Sequence, residues 1–173
     1  TDRCILGGGD MDGPSGDNPN IPGQPDRLQA NVLGDVTIRI GAGASLSKPV
    51  ISGGSPNGGS AAVLGSVRIQ VGDNARLSGL IGGGTIDSSI KHADNADVGG
   101  VSVTLGDGVT CQGDFIAGGY AQFGGSNPAG SHADVLGDVR TQIGGGFSLN
   151  GQFIGGGATK LADTRAQVTG NIQ

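Results

Sequence analysis

The chain has no tryptophan, one tyrosine and four phenylalanines among its 173 residues. Aromatics at 3% exclude a conventional two-layer core filled with large rings, and leave a thin aliphatic interior as the alternative. Basic residues are also scarce: ten Lys and Arg against fifteen acidic residues give a net charge of -5. Phosphate binding needs clustered Lys and Arg, so no nucleic-acid partner is expected. No apolar run approaches the roughly 18 residues of a membrane span, so no transmembrane segment is expected, and Thr1-Asp2-Arg3 does not open a signal peptide. The two cysteines, Cys4 and Cys111, fit neither a metal motif nor a disulfide framework.

What the chain does have is glycine, 38 residues of it, placed in a recurring phrase. The clearest copy runs from Val135 through Gly137-Asp138-Val139 to Ile143-Gly144, then through Leu149 to Phe153-Ile154-Gly155-Gly156-Gly157. Further copies run from Val32 to Gly54, from Val63 to Gly84, and from Val98 to Gly119 with one residue missing near its start. The valines Val36, Val67, Val101 and Val139 precede Ile51, Ile81, Ile116 and Ile154 by 15, 14, 15 and 15 residues. From those isoleucines to the next strand anchor the gaps vary from 16 to 23 residues, so variation is confined to segments after the glycines, as in loops projecting from a regular coil.

In each copy, aliphatic residues alternate with polar ones, as in Val36, Ile38 and Ile40 against Asp35, Thr37 and Arg39. This period of two predicts a half-buried strand. No copy can cover its own apolar face, so copies must stack like on like. The expected fold is therefore all-β, a parallel β-solenoid of the right-handed β-helix kind, with about four full rungs and half-rungs at both ends. Leu46, Leu77, Cys111 and Leu149 form a second column, which makes Cys111 a buried apolar residue rather than a reactive thiol. Gly41, Gly72, Gly106 and Gly144 mark either corners with positive φ or close approaches between copies. Helical structure is expected at most as a short turn at Asp26 to Ala30 or Leu161 to Ala166.

The whole chain reads as one domain. Residues 1–30 form an incomplete first repeat with a Pro-, Gly- and Asp-rich loop or cap, and residues 31–173 form the repeats. Arg3-Cys4-Ile5-Leu6-Gly7 matches the second half of the phrase alone, and Val168 to Ile172 the first half alone. Such half-repeats predict either a piece of a longer solenoid or strand edges that another copy extends, with Cys4, Ile5, Leu6, Val168 and Ile172 as self-association residues.

Val-x-Gly-Asp-Val, Ile-Gly-x-Gly and Phe-Ile-Gly-Gly-Gly, over the four copies from Val32 onward, resemble the glycine-rich repeats of β-helical stalks in large bacterial surface proteins, including autotransporter-type adhesins. The resemblance implies an extracellular or cell-surface, non-enzymatic scaffold.

Candidate sites are few. Asp10, Asp12 and Asp17, with Asn18, place oxygen ligands in one glycine-containing loop, either a weak structural calcium site or a solvated turn. No other cofactor is expected. His92-Ala93-Asp94 and His132-Ala133-Asp134 fall in variable loops, where nothing else converges to complete a zinc site or a triad. Outward columns of Thr37, Arg68, Ser102 and Arg140, beside Arg39, Gln70, Thr104 and Gln142, are a strip for a surface glycan or a solvated face. Val50, Leu80, Phe115 and Phe153 form an apolar column next to the isoleucines. Either one column points outward as a partner surface, making Phe115 and Phe153 self-association residues, or a bulge turns both inward.

The leading expectation is a structural or adhesive protein whose loops are displayed by stacked copies that associate end to end into a filament. A polysaccharide-binding or polysaccharide-degrading β-helix is the alternative, although Asp134, Asp138 and Arg140 are scattered. An ice-binding plane would need regular threonines, and only Thr37, Ser102 and Thr104 comply.

Overall fold

The computed structural model describes residues 5–8, 28–54, 59–86, 95–121, 131–159 and 164–173. These residues are all-β with no helix, and their strand pairings are parallel throughout. No helix among them is long and apolar enough to cross a membrane.

The alternating segments form the four longest strands: β1 (Val36–Ile40), β2 (Val63–Val71), β3 (Val98–Leu105) and β4 (Val139–Ile143). They make one sheet in the order β4-β3-β2-β1. Val36, Val67, Val101 and Val139 stand opposite one another, as do Ile40, Val71, Leu105 and Ile143. The register is forced: a one-residue slip would turn every valine outward and every polar residue inward. The missing residue in the third copy is visible as a register shift, with Val98 opposite Val63 but Gly100 opposite Ser66.

Short strands repeat the same logic. Ile5–Leu6, Val50–Ile51, Leu80–Ile81, Phe115–Ile116 and Phe153–Ile154 form a five-stranded sheet in chain order. Arg76–Leu77, Thr110–Cys111 and Ser148–Leu149 form another. Ile5 stands opposite Val50 and Ile172 bridges to Val139, as the two half-phrases require. The short turns expected near Asp26 to Ala30 and Leu161 to Ala166 are not helical in their described parts. Leu28–Gln29 pairs with Gly59–Ser60 and Thr164–Arg165 with Ser131–His132, because the ladder of the neighbouring copy satisfies their backbone groups.

The interior is aliphatic. Val67, Ile69, Leu77, Leu80, Val103 and Cys111 are fully or almost fully buried, each large side chain contributing about 1.5–3 kcal/mol relative to exposure. Three aromatic rings gather at one place: Phe115 stacks on Phe153 with centroids 5.1 Å apart and meets Phe147 edge-on at 6.2 Å. In the inner copies the first of the neighbouring columns is fully covered, at Val50, Leu80 and Phe115, and the second largely so: Ile51 and Ile116 are 8% and 2% exposed, while Ile81 is half-buried. Phe115 is therefore a core residue rather than a contact residue, since copies on both sides cover its ring.

The corner glycines divide into two kinds. Positive φ belongs to Gly43, Asn74, Gly108 and Gly146, two residues beyond the glycines that end the strands. Asparagine replaces glycine once because its short polar side chain tolerates the left-handed region. Gly72, Gly106 and Gly144 instead sit against the previous copy: a Cβ on Gly144 would lie 2.5 Å from the carbonyl group of Gly106.

Candidate functional site

All fifteen acidic residues of the chain are aspartates, and the structure shows what many of them do. Asp35 Oδ1 accepts the Ser66 N–H at 2.8 Å, and Asp73 Oδ1 accepts the Asp107 N–H at 2.9 Å. Asp107 in turn accepts the Gly145 N–H at 2.7 Å, Asp114 that of Gln152 at 3.0 Å, and Asp138 that of Asn171 at 2.9 Å. Each carboxylate thus clips the backbone of the next copy at a corner, where the sheet ladder is interrupted. A side chain one carbon from the backbone reaches a neighbour one strand spacing away, roughly 4.8 Å, without looping out. The Asn171 N–H, followed by the positive charge of Arg140, holds the Asp138 carboxyl below its ordinary 3.8.

A second column carries Asn31, Ala62, Asp97, Asp134 and Gln167, one residue before the valines that start each copy. Asn31 Oδ1 accepts the Ala62 N–H at 2.8 Å, Asp97 Oδ1 that of Asp134 at 2.8 Å, and Asp134 Oδ1 that of Gln167 at 2.9 Å. Two nitrogen-bearing side chains lie across this column on a diagonal. His132 Nδ1 is 2.8 Å from Asp97 Oδ1, and Arg165 Nε donates to Asp134 Oδ2 at 2.6 Å. Asp134 is 2% exposed, and its carboxylate raises the affinity of the Arg165 guanidinium for its proton.

This corrects the reading of His132 and Asp134 as loop residues on which nothing converges. Asp97, His132 and Asp134 offer ligand atoms within 4.8 Å of one another. Several of these atoms already have partners: Asp97 Oδ1 serves His132 and the Asp134 N–H, while Asp134 serves Arg165 and the Gln167 N–H. The arrangement is a ladder of carboxylates holding side chains and backbone amides of the next copy, and a cation drawn to Asp134 would have to compete with Arg165. Only the third and fourth copies carry Asp in this column, so the signal lay in comparing copies position by position.

The outer face of β1 to β4 carries a different feature. Thr37, Arg68, Ser102 and Arg140 are in register, as are Arg39, Gln70, Thr104 and Gln142, with Arg39 Nε donating to Gln70 Oε1 at 2.9 Å. A groove of about 360 Å³ crosses this face, floored by Ser66, Gly99, Gly100 and Ser102, with Asp35 and Asp138 at its ends. Its depth comes from the shortened third copy, which has glycines where the others carry Leu-Gly-Asp or Leu-Gly-Ser.

No family model, curated protein or solved structure matches this chain. The site must therefore be judged on its own geometry.

Of the residues singled out from sequence, Cys4, Asp10, Asp12, Asp17 and His92 lie outside the described residues. Ile5, Phe153 and Ile172 are 38%, 49% and 55% exposed, Val168 is half-buried, and Leu6 pairs its backbone with Ile51. Cys111 is fully buried in the leucine column, and that burial pushes its thiol above the ordinary 9.0. One feature had no counterpart in the sequence reading: Leu33, Leu64 and Leu136, at one position of three copies, are 79%, 57% and 54% exposed. The repeating Val-Leu-Gly carries that signal, because in an alternating segment the residue after an inward valine falls on the outer face.

Proposed function

We propose that the chain is a parallel β-solenoid with a non-enzymatic, structural or adhesive role at the cell surface or outside the cell. In this reading each repeat forms one rung, the variable segments between rungs carry recognition, and rungs of one molecule stack on those of the next. The reading is supported above all by the five-stranded sheet. Its two outermost strands, Ile5–Leu6 and Phe153–Ile154, occupy the same repeat position at opposite edges, and Ile5 and Phe153 are 38% and 49% exposed. An edge of one molecule is thus chemically matched to the opposite edge of another, in the register already used four times within the chain. Such a contact is head-to-tail and does not close, so it propagates as a filament.

The carboxylates support a structural role as well. Asp35, Asp97, Asp107, Asp114, Asp134 and Asp138 all accept backbone N–H groups of adjoining copies, where they hold the stack together. The surface location follows from the resemblance of the repeat to bacterial surface stalks.

Sedimentation velocity over a hundredfold range of concentration, with negative-stain images at the upper end, tests the assembly. The expected result is linear particles that lengthen with concentration and that Phe153→Asp or Ile5→Asp shortens to single molecules. A monomer at every concentration overturns end-to-end stacking.

A further inference from the structure

The groove on the outer face of β1 to β4 exists because the repeat is broken there. In the third copy Gly99 and Gly100 replace the exposed leucine and the polar corner residue of the other copies, so two side chains that would roof the floor are absent. Arg68 and Arg140 rise on either side of Ser102 in one outward column. Their Cα atoms are two strand spacings apart, roughly 10 Å. Arg68 is exposed and makes no hydrogen bond or ion pair with any described residue. Arg140 has only a 3.4 Å contact with Asp138, with side chains 61% and 38% exposed, and such a solvated pair is weak.

We propose that this groove binds an acidic oligosaccharide. Arg68 and Arg140 each take a sugar carboxylate, using the planar fork that suits two-point pairing with a carboxylate. Thr37, Ser66 and Ser102 meet ring hydroxyls, and Asp35 at the groove's end accepts from a further pair with the oxygen it does not spend on Ser66. Spacing sets the ligand: two carboxylates about 10 Å apart with hydroxyls between them describe a linear chain charged on repeating units, not a small dianion.

Other ligand classes fit less well. An extended peptide would need free backbone groups, but β2 and β3 are hydrogen-bonded on both sides, so only side chains are available for recognition. A neutral sugar would want an aromatic platform, and no aromatic residue lines the groove. Nucleic acid would want aromatic faces on which its bases could stack, and none lines the groove. The inference goes beyond end-to-end stacking and does not depend on it, because every groove residue comes from one molecule.

Calorimetric titration of the full chain with a tetragalacturonate and a tetraglucuronate, against maltotetraose as the neutral probe, tests the site. At least one uronate is expected to bind, with maltotetraose at least tenfold weaker. Arg68→Ala and Arg140→Ala are each expected to weaken uronate binding at least tenfold, and Ser102→Glu, which sets a negative charge between them, to abolish it. Arg39→Ala, on the same face but outside the groove, is expected to bind as the unsubstituted chain does, and thermal unfolding of each variant confirms an intact fold. Failure of both uronates to bind, equal binding of maltotetraose, or unchanged affinity in Arg68→Ala overturns the proposal. Running the titration on Phe153→Asp as well separates it from assembly, since loss of stacking there leaves the groove intact.

Discussion

Phe115 and Phe153 hold the same place in consecutive copies and stack ring on ring, yet one is fully buried and the other 49% exposed. The same contrast separates Leu105, 3% exposed, from Ile143, 43% exposed, at the end of β3 and β4. Equivalent positions therefore become core in one copy and surface in the next. Burial here is a property of having a copy on both sides, and a single repeat contains only half of its own core.

The sharpest test of that contrast is truncation of the two rings. Phe115→Ala removes a ring packed on both sides and is expected to cost about 3–5 kcal/mol in urea unfolding. Phe153→Ala, open on one face, should cost less than half as much, and equal costs would break the comparison. The glycines make the same point through space rather than contact. A Cβ on Gly118 would lie 2.7 Å from the carbonyl group of Gly156, whereas a Cβ on Gly156, its equivalent, meets only the end of the Ile172 side chain at 3.4 Å. Gly118→Ala should therefore destabilise by about 1–3 kcal/mol, the usual cost of overpacking. Gly156→Ala should be near neutral in the same measurement.

The aspartate clips give a smaller difference. Asp97→Ala removes the acceptor of both the Asp134 N–H and His132, and is expected to cost roughly 1–2 kcal/mol. Asp138→Ala, at an exposed corner, should cost less, and a larger effect there would show that the corners rather than the inner column carry the stack. The Asp138 carboxyl also gives the comparison a pH axis. Its folded-state pKa lies below the ordinary 3.8. The unfolded chain therefore takes up its proton first as pH falls, and the contribution of this clip is present above that value and lost as pH drops through the folded pKa. Carboxyl NMR should show Asp138 titrating below an unperturbed aspartate, and Asn171→Pro, which removes the donor, should bring it back. The smallest effect concerns Cys111: in a Cys4→Ser background its buried thiol should react with a disulfide reagent only as fast as the chain unfolds.

Much of the fold was legible because its pattern is one-dimensional. The valines of β1 to β4, the leucine column and the isoleucine column stand in the register that their spacing implies, since a parallel ladder preserves equivalence between copies. The site was less legible. Asp97 and His132 are 35 residues apart and meet only because one sits a copy beyond the other and two positions aside. The groove arises from a missing residue, and an absence shows its consequence only when the neighbouring copies stand beside it. The corner glycines stayed undivided for the same reason: spacing marks where a Cβ is unwelcome, but cannot separate a torsion from a close neighbour.

By itself, the sequence determined the four long strands, their apolar faces and their register, because alternation of apolar and polar residues at a repeated interval favours the pairing that sets valine against valine. Only the tertiary structure decided which equivalent residues are buried, which aspartates clip which amides, and where the outer face opens into a groove. Those properties belong to the contact between copies, and a contact depends on what lies one strand spacing away rather than on what comes next in the chain.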